Sequence, residues 1–300
     1  MPSRIRLALI AGGIALLASV ATAQTAQTAQ TAQTAQYISS YTWANSDKGF
    51  GGFSGIEVSG DGMKFTAIGD RGAIITGQFE RDGAQISDII STIQELKNAK
   101  GNALTKFQSD AEGLAIRADG RIYISFEQFH RVWTYRDPES EAAWIPRHAD
   151  FEHLKNNGGL EALAIDSDGT LYALPEKPGG GAITIYRYKG GVWDAPYQIP
   201  QLGAFKAVGA DFGPDGKLYV LERALTSIFG FQTQVRQFDI KGNRIGKGEL
   251  ILQTSPGTHD NLEGLSVWRG TAGDIRLTMI SDDNFNIFQH TEFVEYRLQE

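Results

Sequence analysis

The sequence contains no cysteine, which excludes disulfides, thiolate metal sites, cysteine nucleophiles and a lipoprotein anchor. It also lacks any sustained 3.6-residue apolar period, so a helical domain is not expected. The nearest candidate, Ile86 to Lys97, reads as a short helix or as a strand with a polar tail. Beyond the N-terminus no stretch approaches the roughly 20 apolar residues of a membrane span. Basic charge is in deficit, with 28 Lys and Arg against 35 Asp and Glu and a formal net charge of −7. That balance argues against nucleic acid or an anionic membrane as a partner. It suits a cation-binding protein, and equally an ordinary soluble surface. Gly52-Phe53-Ser54-Gly55 is not a nucleophile elbow, because Ile56 stands where the closing glycine belongs. No glycine loop precedes a helix in the manner of a phosphate cradle.

What is present begins with an address. Arg4 and Arg6 precede an apolar run from Leu7 to Val20, and Ala21-Thr22-Ala23 forms a small-residue cleavage site. Residues 1–23 therefore read as a secretory signal peptide. Its loss takes the formal charge from −7 to −9. A periplasmic location is expected, with secretion as the second choice and no membrane insertion after cleavage. Residues 24–36 are Thr-Ala-Gln triplets with no core-forming side chain, and read as a flexible spacer. Residues 37–300 read as one folded domain, expected to be monomeric.

Within that domain one pattern recurs. Asp110 to Gln128 (DAEGLAIRADGRIYISFEQ) holds a glutamate, a strand-forming run, an Asp-Gly turn, a second run and another glutamate. Asp-Gly supplies the positive backbone angles of a tight hairpin, so Glu112 and Glu127 should lie at the same edge of the sheet. The stretch Gly159 to Lys177 repeats it with Glu161, Asp168-Gly169 and Glu176, at the same Glu-to-Glu separation. Val208 to Arg223 keeps the turn and closes with Glu222-Arg223, but Val208 replaces the first acid. Phe53 to Arg71 has Ser54 there and closes with Asp70-Arg71. Asn261 to Asn284 restores Glu263 and closes with Asp282-Asp283-Asn284. The turn glycines recur at roughly 50-residue intervals, the signature of propeller blades. An all-β propeller of about six four-stranded blades is expected, with five as the alternative. The terminal run EFVEYRL should pair with YISSYTW near the mature start and close the ring.

In such a ring the opening acids line the channel mouth and the closing acids crowd the same face. Carboxylates brought that close repel one another unless a cation neutralises them. Oxygen-only ligands suit Ca2+, with Mg2+ as the alternative, rather than zinc or copper. Glu112, Glu161 and Glu263, with Asp282, Asp283 or Asn284, are the candidate ligands. Arg71, Arg223, Glu127 and Glu176 are the candidate substrate-binding residues. Glu222 is the candidate general base, and His259 a candidate acid or base. The same acids could instead cap turns or pair with neighbouring basic residues.

The motifs DAEGLAI, LEALAI leading to LYALPE, LYVLER, and NLEGLSVW followed by SDDNF resemble the bacterial phytase-like family, also described as the esterase-like domain of phytase. The likeness runs from about Gly51 to the C-terminus. It implies an exported β-propeller and phosphoester or ester hydrolysis. A more distant similarity to calcium-dependent lactonase propellers implies glutamates holding the ion at the channel mouth. The chain lacks the Arg-His-Gly signature of histidine acid phosphatases, so phosphatase chemistry here would be metal-assisted. Two readings follow: a metal-dependent hydrolase of a small anionic or ester substrate, and a non-catalytic periplasmic propeller that binds a ligand or partner.

Overall fold

Each of the four Asp-Gly hairpins, and a fifth hairpin that turns between Arg269 and Ile275, forms the two inner strands of a four-stranded antiparallel sheet, and five such sheets surround an axis. The computed structural model describes residues 34–155, 158–177, 180–226 and 230–298; the expected signal peptide and most of the expected spacer lie outside them. The innermost strands are β2 (Phe53–Val58), β6 (Ala111–Ile116), β10 (Leu160–Ile165), β14 (Lys206–Phe212) and β20 (Asn261–Arg269). Their partners are β3 (Lys64–Gly69), β7 (Ile122–Phe126), β11 (Leu171–Pro175), β15 (Leu218–Leu225) and β21 (Ile275–Asp282). The third strands are β4 (Ala73–Asp82), β8 (Arg131–Tyr135), β12 (Ala182–Lys189), β16 (Phe231–Phe238) and β22 (Glu292–Leu298). The outer strands are β5 (Gln85–Glu95), β9 (Ala143–Trp144), β13 (Val192–Pro200), β19 (Glu249–Gln253) and β1 (Ala35–Thr42). A short ribbon of β17 (Ile240–Lys241) and β18 (Arg244–Ile245) hangs off the fourth blade.

The ring has five blades, the number of hairpins in the sequence, and not six. Among the described residues no sixth four-stranded sheet forms. Connections of a dozen or more residues before β6 and β10 use residues that a shorter blade would have spared. The candidate helix Ile86 to Lys97 is β5 and its tail. β1 does close the ring: it pairs antiparallel with β22, Tyr41 opposite Phe293. It begins at Ala35, two residues inside the expected spacer.

There is no single core. Side chains alternate between the two faces of each blade, so apolar residues gather in five wedges, one at each junction between neighbouring blades. Ile74 and Ile75 show the division: the first packs toward the second blade, the second toward the fifth. The wedges hold the blades apart at a fixed angle, and that angle aims the innermost strands at the axis.

Candidate functional site

All five innermost strands carry a β-bulge at the same place. The register slips beside Ser54 in β2, Glu112 in β6, Glu161 in β10, Val208 in β14 and Glu263 in β20. A bulge leaves one residue outside the ladder and re-aims its side chain. Here it turns the opening residue of each hairpin toward the channel. Four of the five bulges are followed by glycine, because neighbouring strands approach too closely for a side chain. A Cβ on Gly113 would stand 2.7 Å from the backbone nitrogen of Leu163 in the next blade. Below the bulges the axis is nearly filled, leaving a cavity of about 10 Å3, room for at most one water.

Above them the channel opens into a mouth of about 350 Å3. It is lined by eight carboxylates: Asp70, Asp110, Glu112, Glu127, Glu161, Glu176, Glu263 and Asp282. Ser54, Gln128, Asn284 and Arg223 complete it. A residue near the end of each second strand, inside it or just past it, supplies the closing group. Four blades give an acid (Asp70, Glu127, Glu176, Asp282), whereas the fourth gives Arg223. That blade also has Val208 at its bulge, and Lys206 sits opposite Arg223 in the ladder. The mouth is therefore polarised, with acids from four blades facing basic groups from one. Arg223 Nη2 lies 2.7 Å from Glu263 Oε1 and 3.8 Å from Glu176 Oε1. Lys206 Nζ lies 3.1 Å from Glu176 Oε1.

The tightest convergence is on the second blade. Asp110, Glu112 and Glu127 each offer an oxygen within 4.8 Å of the others. Oxygens that far apart can share one cation with bonds of about 2.4 Å, the range for Ca2+. The donor set is entirely oxygen, which also fits. Glu127 Oε1 accepts from Gly159 N at 2.9 Å and from Gly158 N. Asp110 Oδ2 accepts from Gln128 Nε2 at 2.9 Å.

Burial first, and crowding second, raise the proton affinity of Asp70, Glu112, Glu161, Glu263 and Asp282. Burial, then Glu263 and Asp110, push Glu112 well above the usual carboxylate range. Glu161 is raised likewise by burial, by Glu112 and by a hydrogen bond to Glu127. Burial and then Asp110 push Asp70 up to about 6, and burial and then Glu263 push Asp282 up to about 8. Burial also raises Glu263, against the pull of Arg223.

The residues chosen from sequence divide clearly. Glu112, Glu161, Glu263, Asp282, Asn284, Glu127, Glu176 and Arg223 all line the mouth. Asp283 does not: its Oδ1 accepts from Gly52 N at 2.9 Å and fixes the loop before β2. Arg71 is exposed and stacks on Phe285 outside the cavity. Glu222 is fully buried in β15, held by Arg236 Nε at 2.7 Å and Gln234 Nε2 at 2.8 Å; it cannot meet a substrate as a base. His259 is also turned away, with Nε2 2.7 Å from Tyr296 Oη, and burial lowers it to about 4. Ser54, Asp70, Asp110 and Gln128 are the lining residues outside the set of candidate ligands, substrate-binding and catalytic residues. Asp110 stands two residues before Glu112, and a period of two puts it on the same face.

The phytase-like family model, described as "Esterase-like activity of phytase", matches residues 48–285. The chain belongs to this family. Comparison with curated proteins gives no match. Among solved structures, the phytase-like propeller is similar to an α-L-arabinofuranosidase from Podospora anserina in complex with cellotriose, at 11% identity and TM-score 0.51, covering 88% of this chain and 97% of that one. The catalytic domain of a Coprinopsis cinerea α-L-arabinofuranosidase gives 11% identity and TM-score 0.50 over 89% and 98%. A PQQ-bound aldose sugar dehydrogenase from Streptomyces coelicolor gives 12% identity and TM-score 0.46 over 87% and 98%. At these identities the likeness to the two arabinofuranosidases is one of fold alone.

Proposed function

We propose that this phytase-like propeller is an exported, monomeric, Ca2+-dependent hydrolase of phosphoester, ester or lactone bonds, acting at the channel mouth. The observation that carries the reading is the convergence of Asp110, Glu112 and Glu127 opposite the basic wall of the fourth blade. Those three residues would hold the cation, with Mg2+ as the alternative occupant. A bound divalent ion there supplies charge neutralisation and polarisation of a phosphoryl or carbonyl oxygen. Arg223 and Lys206 orient the anionic part of the substrate by charge-assisted hydrogen bonds. Burial, then Glu112 and Glu127, raise Glu161 well above the usual carboxylate range, which suits it to donate a proton to the leaving oxygen. Gly158 and Gly159 fix the Glu127 carboxylate so that it need not reorganise. The periplasm is the expected compartment. Among the described residues no helix is long and apolar enough to cross a membrane.

The test is calorimetric titration of chelator-treated protein with Ca2+, beside an Asp110→Asn, Glu112→Gln variant. Saturable binding that the variant loses supports the site and directs a screen of phosphate esters, carboxylic esters and lactones. Absence of binding in the wild type sinks the metal-dependent mechanism and leaves the ligand-binding propeller as the account.

A further inference from the structure

The loops around the mouth combine two unusual features. Phe129 is 66% exposed, Ile287 91% and Phe288 86%, and Leu225 and Phe107 are exposed to a similar degree to Phe129. Each belongs to a loop or strand end that also lines the cavity. Phe129 follows Gln128, Leu225 comes two residues after Arg223, Ile287 and Phe288 come after Asn284, and Phe107 precedes Asp110 by three. Isolated exposed apolar side chains are ordinary, whereas a collar of them around one opening is the mark of a binding surface.

Independently, the non-glycine residues with left-handed backbone among those described are Gln128, Phe129, Asn284 and Phe285. All four lie in two of these loops. A bulky side chain at φ 95°, as in Phe129, is held in a sparsely populated, strained conformation. Phe129 does not offset that strain by burial, whereas Phe285 is half-buried against Arg71. At Phe129 the backbone is held so as to present an aromatic ring to solvent beside a charged cavity.

We infer that the ligand of this site is amphiphilic: an ester or phosphate monoester whose head enters the acidic mouth and whose single alkyl or acyl chain lies on the apolar collar. The inference rests on the hydrolase reading only for the place of the head. A neutral, fully polar substrate would leave Phe129, Leu225 and Phe288 without a partner. Without a cation, an anionic head would meet the ionised carboxylates of the mouth. A chain-bearing anionic ester satisfies both halves of the surface at once.

Calorimetric titration with butyl phosphate and with dodecyl phosphate below its micellisation concentration, each in Ca2+ buffer, tests this. The wild type is expected to bind the dodecyl ester about tenfold or more tightly, a difference of about 1.4 kcal/mol. In a Phe129→Ser, Phe288→Ser variant the ratio is expected to fall toward unity; both side chains are exposed, so the fold should survive. Equal affinities in the wild type, or an unchanged ratio in the variant, overturns the inference. So does sedimentation with phosphatidic acid vesicles that the variant loses while dispersed esters show no chain-length preference, since that describes a bilayer surface. Repeating the titrations in chelator separates the two ideas. A preference that survives chelation with affinities unchanged upholds the collar and removes the cation; loss of both affinities in chelator with no preference in Ca2+ does the reverse.

Discussion

Arg223 occupies in the fourth blade the place that carboxylates occupy in the others, and the charge of the mouth is arranged around it. Its neighbour Glu222 shows how narrow the margin is. A step of one residue along a strand moves a side chain to the opposite face, so Glu222 points into the blade and binds Arg236 while Arg223 points into the channel. The Glu222→Gln substitution leaves a buried guanidinium without its counter-charge. It is expected to cost about 3 kcal/mol or more in denaturant unfolding while Ca2+ titration stays as in the wild type. A variant that folds normally but no longer binds the cation would return Glu222 to the site. The opening glutamates were legible in the sequence because they precede Gly or Ala at one fixed point of a repeat. Glu222 was misplaced because Glu-Arg imitates the Asp-Arg and Glu-Lys that close other hairpins. Only the ladder, in which Ala207 faces Glu222, reveals the one-residue offset.

At the scale of the strand, the bulge is what converts a repeat into a site. Without it the opening residue would keep its place in the ladder. The glycine that follows is part of the same device. Gly113→Ala would drive a methyl group to 2.6 Å from Ser125 Oγ and 2.7 Å from Leu163 N, and must spread the second and third blades. We expect a loss of about 1–3 kcal/mol and weaker Ca2+ binding, measured on one preparation by unfolding and calorimetry. Stability and affinity equal to wild type would show that the strands need not meet so closely. A bulge also explains why β5 reads ambiguously. Ile86, Ile89, Ile90 and Ile93 follow the spacing of a helix face. In the strand, the register slips between Ile86 and Asp88, so an extra residue interrupts the two-residue alternation. Hairpins were legible because their turns are local chemistry; bulges were not, because they exist only in the pairing of two strands.

At the scale of the whole ring, the concentration of acids sets a pH dependence. Asp70 and Asp282 bind protons more tightly folded than unfolded, at about 6 and about 8 against roughly 4 for a free carboxyl. The cation-free protein therefore keeps the corresponding stability below about pH 4 and loses it as pH rises through about 8. Ca2+ should reverse that loss, so its increment in Tm is expected to be larger at pH 8 than at pH 5 in thermal melts with and without chelator. An increment independent of pH would mean that the ion binds away from these carboxylates. The blade count was less legible than the blades themselves, since repeat spacing says nothing about how much chain the connections between blades consume.

The closing strand carries a last consequence, in the order of events. β1 is among the first parts of the domain to be synthesised and β22 the last, yet each is the other's neighbour. The four complete blades can form from contiguous chain, but the fifth must wait for both ends. Until then β21 and β22 present half a blade, and β1 is a lone strand whose hydrogen-bonding edge has no partner. Closure over so long a span is entropically costly and slow. The final kinetic phase of refolding should be the docking of this one strand, and the unclosed ring, with its open edge, is the species most exposed to association with other copies of itself.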